Sequence, residues 1–178
     1  MAKHTTAEIT VSKTKAEIIK EAKRMEEGLL YSSKGHFAAS HYWGNFHLWI
    51  GVPIVVLSAI AGASALSKFE CSAIGAGILS ILVAALSSVM TFLNPNEKAS
   101  AYLTAGNNYD SLMNKTRIFW SIDCWREESD QVLTEKVRYL SEQKDRLNQG
   151  SPQIPRWAYK LAKNDIEAGG GDYKVDKS

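Results

Sequence analysis

Two apolar stretches, Phe46 to Ser67 and Ser72 to Leu93, contain no Asp, Glu, Lys or Arg, and only Lys68-Phe69-Glu70-Cys71 separates them. A helix rises 1.5 Å per residue, so about 20 apolar residues cross a hydrocarbon core of about 30 Å. Both stretches reach that length. A charge at mid-bilayer costs several kcal/mol, which explains why neither holds one. The pattern predicts an all-α chain with a two-helix transmembrane hairpin, spans at about 46–67 and 72–93.

The competing arrangement is a water-soluble bundle with two central helices buried all round. Mean hydropathy, −0.20, is ordinary for a soluble chain. That average conceals an uncharged middle flanked by ends crowded with Lys, Arg, Asp and Glu. A domain this small cannot bury two consecutive helices on every face, so the membrane arrangement is preferred. A secretory signal is disfavoured, because the first run follows a charged helix-like segment and is too long for a signal core.

Basic residues set the orientation. Lys3, Lys13, Lys15, Lys20, Lys23, Arg24 and Lys34 precede the first span, and Lys98, Lys115, Arg117, Arg126 and Arg138 follow the second. The connecting loop has Lys68 beside Glu70. Both termini are therefore expected in the cytoplasm, with the short loop outside. Cys71 and Cys124 then lie on opposite sides and form no intrachain disulfide.

Within the spans, small residues recur at helical spacing. Gly51, Ser58, Gly62 and Ala65 share a face, as do Ala73, Gly77, Ser80, Ala84, Ser87 and Ser88. Such stripes suit close packing of the hairpin and of subunits. They equally suit a narrow polar path along Ser58, Ser80, Ser87 and Thr91, dry at rest. Pro53 is a candidate hinge or a static bend. Tyr42, Trp43, His47 and Trp49 read as an aromatic belt.

The chain divides into an N-terminal cytoplasmic helix (1–45), the hairpin (46–94), C-terminal cytoplasmic helices (95–168) and a flexible tail (169–178). Ile18, Ala22, Met25, Leu29 and then Tyr31 or Ser32 form one seam. Asn94-Pro95-Asn96 ends the second span, with Asn96 as N-cap and Pro95 as a second candidate hinge. Tyr102, Gly106, Tyr109, Met113, Thr116 and Trp120 mark the next stripe. Leu133, Val137, Leu140 and Leu147 follow on a helix from Ser129 to Leu147. A short helix from Arg156 to about Ala168 carries Trp157, Leu161 and Ile166.

No phosphate loop, metal box or nucleophile–base set can be drawn from the spacing, so no enzyme, cofactor or metal is expected. His36, His41 and His47 lack a carboxylate or cysteine cluster to make them ligands. A formal charge of +2 is far from that of a nucleic-acid binder. No span offers a carboxylate or ammonium to relay ions, which disfavours a transporter subunit.

Three strings carry a resemblance: Leu57-Ser58-Ala59-Ile60-Ala61-Gly62, Thr91-Phe92-Leu93-Asn94-Pro95-Asn96-Glu97-Lys98, and Gly106-Asn107-Asn108-Tyr109-Asp110-Ser111-Leu112. Over residues 30–150 the chain resembles the SLATT family, the SMODS- and SLOG-associating two-transmembrane proteins of bacteria. The resemblance implies a pore-forming or membrane-disrupting effector in antiphage conflict systems. Such an effector answers a partner that makes or senses a nucleotide second messenger. It supplies no catalytic residues. Two spans cannot enclose a path, so a pore needs a homo-oligomer, a tetramer or larger. The alternative is a membrane-anchored helical adaptor without a pore.

Overall fold

The computed structural model describes residues 12–66, 72–126, 128–173 and 175. The connection at 67–71, with Cys71, lies outside them. Among the described residues the only regular elements are helices, with no strand: α1 (Lys13–Leu66), α2 (Ser72–Leu93), α3 (Pro95–Ser121), α4 (Asp130–Gly150) and α5 (Arg156–Asp165). A 3-10 turn at Asp123–Trp125 joins α3 to α4, and a turn at Ile166–Gly170 follows α5.

Helix α1 runs without interruption through residue 45 and through Pro53. Ser12 caps it, its hydroxyl accepting from the Lys15 N–H at 3.0 Å. Glycine weakens a helix by up to about 1 kcal/mol, yet α1 absorbs Gly28 and Gly35. At Gly35 a Cβ would meet Ile154 Cγ2 at 3.1 Å, so this glycine seats the chain leading into α5. Helices α1 and α2 pair as an apolar hairpin, and α1 packs along α3 below it.

The seam of α1 is Ile18, Ala22, Met25, Leu29, Ser33, His36 and Ala39. It continues through Ser33 rather than Tyr31 or Ser32, which are only half-buried. The step of four after Leu29 keeps the stripe under α3. Helix α3 buries Tyr102, Tyr109, Met113 and Thr116 as expected, and adds Ala105, Leu112 and Phe119, while Trp120 stays half-buried. Two cores result. One gathers Met25, Leu29, Leu112, Phe119, Cys124, Leu133 and Leu140; the other, nearer the hairpin, joins Ala39, Tyr102 and Ala158.

One boundary differs from the sequence reading. The break between α2 and α3 falls on Asn94, not Asn96: Asn94 takes the left-handed conformation (φ 42°, ψ 57°), and its side-chain amide donates to Glu97. Asparagine tolerates that conformation because its short polar side chain bonds locally, and Pro95 fits the first helical position. Helix α5 is turned relative to its apolar residues. It buries Ala158 and Ala162 and leaves Leu161 56% exposed, because only small side chains let its backbone close onto α1. Residues 169–173 turn back at Gly169, whose φ of 87° is not helical. Gly171 then lies against Leu30, and the Tyr173 ring sits 4.4 Å from the Arg117 guanidinium.

Candidate functional site

The hairpin is the most distinctive surface of the molecule. Both α1 and the stretch after Ile74 are long and apolar enough to cross a membrane, and only 6% of each apolar window is buried by the chain itself. A core helix of a soluble protein would be mostly covered. Instead Trp49 is 81% exposed, Val55 69%, Ile81 71% and Phe92 88%. An apolar surface of that extent is covered in use by lipid or protein.

Helical geometry divides this surface. At about 100° per residue, the covered side of the first span holds Ile54, Leu57, Ala61 and Ser64, and that of α2 holds Ala76, Leu79, Val83, Leu86 and Met90. Ser58, Gly62 and Ala65 form a neighbouring exposed arc on α1; Gly77, Ser80, Ala84, Ser88 and Thr91 form one on α2. The arc lies clockwise of the seam on α1 when viewed from the bundle, and anticlockwise on the antiparallel α2. Both small arcs therefore emerge on one side of the hairpin. Val52, Val56 and Ile60, with Ile78, Leu82 and Val89, occupy the other. Ser87 sits half-buried between seam and arc, and the side chain of Ala73 lies outside the described set.

The small side is open. A Cβ added at Gly62 or Gly77 meets nothing within 4 Å. Its hydroxyls turn inward: Ser58 donates to the Ile54 carbonyl at 2.7 Å, Ser80 to Ala76 at 2.8 Å, Ser88 to Ala84 at 2.8 Å and Thr91 to Ser87 at 3.0 Å. The arc is thus both narrow and internally satisfied, compatible with a dry helix contact.

Beneath the hairpin stands an aromatic collar. Tyr42 meets Trp157 at 4.7 Å between ring centroids and Trp43 at 5.7 Å; Trp43 meets Phe46 at 5.8 Å. Lys98 Nζ lies 4.4 Å from the Trp43 ring centroid, a cation–π contact. Trp157 and Lys98 join this collar only through the fold, being remote in sequence from Tyr42.

Below the collar, His36 is 2% exposed, and neither ring nitrogen has a hydrogen-bond partner. Tyr102 and Tyr109 of α3 present their rings edge-to-face at 5.9 and 5.0 Å. Their hydroxyls point away, Tyr102 donating to the Gln153 carbonyl and Tyr109 to Asn148 Oδ1, each at 2.9 Å. Burial pushes the His36 pKa below its usual 6.5 and raises both tyrosines above theirs. Burial also raises the Cys124 thiol, a free side chain inside the lower core. The α1 repeat signals His36 in the sequence, since it stands seven residues after Leu29 on the same seam.

Among the described residues, no three His, Cys, Asp or Glu side chains converge to hold a metal. No protein-family model, curated protein or solved structure matches the chain.

Proposed function

We propose that this chain is an oligomeric membrane effector of bacterial antiphage defence, whose hairpins cross the inner membrane and assemble, tetrameric or larger, into a narrow pore. The observation that carries this reading is the division of the hairpin into a bulky apolar side and a small, hydroxyl-bearing side. Lipid suits the first. Membrane helices associate through close approach of small residues, so the second suits neighbouring subunits and the axis between them. The resemblance to the SLATT family adds the biological setting and the trigger, a nucleotide second messenger or a sensor protein that binds the cytoplasmic helices. Basic residues on both flanks support a cytoplasmic position for the termini.

Leakage of dye or ions from liposomes holding the inserted protein tests this, with and without candidate nucleotides. Leakage is expected, and Ser80→Leu with Ser87→Leu reduces it. The inward hydroxyl bonds of Ser58, Ser80, Ser88 and Thr91 favour a second reading, a membrane-anchored adaptor that conducts nothing. Correctly inserted protein that leaks under no condition removes the pore and favours the adaptor.

A further inference from the structure

A groove of about 520 Å³ runs between α1 and α3 directly below the hairpin, bordered by His41, Asn45, His47, Leu48, Asn96 and Ser100. It plays no part in the proposed pore. Its borders carry no Lys, Arg, Asp or Glu. Gly44 forms an open floor, with nothing within 4 Å of an added Cβ. Ser40, deeper in, is already engaged, donating to the Ala99 carbonyl at 2.9 Å.

His47 is oriented by its surroundings. Its Nδ1 is buried without a partner, whereas Nε2 is not among the buried unpartnered atoms. With its hydrogen on Nε2 the ring offers the groove an N–H donor. Asn45, Asn96 and Ser100, exposed along its edges, add amide and hydroxyl donors. The same face of α1 continues upward as Leu48, Val52 and Val55, which are 60%, 58% and 69% exposed. Steps of four and three keep these residues in line with the groove. Uncharged donors thus lead, without a break, into an apolar ridge.

We infer that this groove seats the phosphodiester headgroup of a membrane phospholipid, whose acyl chains lie along Leu48, Val52 and Val55. Phosphodiester oxygens accept the His47, Asn96 and Ser100 hydrogen bonds, and the ridge receives the tails. Recognition rests on donors rather than net charge, so ethanolamine and glycerol headgroups bind alike and salt has little effect. The inference presumes the bilayer placement proposed above.

Native mass spectrometry of the full chain released from mild detergent tests it. One phospholipid is retained per chain, from phosphatidylethanolamine or phosphatidylglycerol alike. The double variant His47→Ala/Asn96→Ala weakens retention about tenfold or more, the loss expected for two hydrogen bonds of this kind. His47→Gln, which restores an N–H donor, keeps the lipid, as does Lys98→Gln. Equal retention by the double variant, or lipid stripped by salt and by Lys98→Gln, overturns the seat. Carbonate extraction separates the two proposals: protein that resists extraction yet carries no lipid loses the groove assignment alone, whereas protein released by carbonate loses the membrane placement itself.

Discussion

His36 is the residue whose chemistry and surroundings are most at odds. Its ring is buried among Tyr102 and Tyr109 of α3, with Ala39 and Ala158 on the neighbouring packed surfaces, and those tyrosines are the titratable groups facing it. Neither tyrosine hydroxyl is turned to stabilise an imidazolium. The folded pKa is depressed, so the unfolded chain takes up this proton first. Stability from the group is complete above pH 6.5 and falls below it by about 1.4 kcal/mol per pH unit until the folded pKa is passed. Thermal melts at pH 7.5 and 5 should show an acid-induced drop in Tm that His36→Phe reduces, because phenylalanine keeps the edge-to-face contacts and has no proton to gain. An equal drop in the variant would assign the acid sensitivity elsewhere.

Gly106 sets a second residue-scale limit. A Cβ there would lie 2.7 Å from Phe37 Cε1, closer than side chains tolerate. Gly106→Ala is therefore expected to destabilise the bundle by about 1–3 kcal/mol through overpacking, although alanine is the better helix former. Phe37→Leu in the same chain should recover part of the loss, as read from urea or thermal unfolding in detergent. Gly106 can be picked from sequence as part of a stripe. Its partner Phe37 can not, because the contact depends on the angle at which α1 crosses α3.

At the scale of elements, most helices are legible because period and punctuation agree. Ser129 starts α4 and Gly150 ends it, the former accepting from the Val132 N–H at 3.4 Å. Helix α5 is where pattern and structure part. Trp157 and Leu161 are its large apolar residues, but Ala158 and Ala162 form the buried face. Large side chains favour burial by area, yet a short helix can also gain by approaching closely through alanine. Ala158→Leu is expected to cost about 1–3 kcal/mol by prising α5 from α1. Leu161→Ala should change stability by less than about 0.5 kcal/mol, the usual range for an exposed site. A larger effect at Leu161 than at Ala158 in thermal melts would reverse the face assigned to α5.

The whole molecule joins a helical bundle to a bare apolar hairpin through one 54-residue helix. That helix gives the bundle a rigid handle on the first span. Gly62→Leu and Gly77→Leu find open space in the single chain, so its helicity and melting should be unaffected. If the small side packs between subunits, the same variants shift the native mass in mild detergent toward monomer. An unchanged oligomer mass would move the contact to another surface.

Sequence by itself determined the two apolar helices, their antiparallel pairing and the helical character of both ends. Each of these follows from local quantities: hydropathy, period, charge and the length of a connection. Tertiary structure decided that the small stripes lie outside the hairpin seam, that Leu161 faces out while Ala158 faces in, and that His36 is enclosed by two tyrosines. These depend on the rotation of each helix about its axis, which is fixed by side chains meeting from distant parts of the chain.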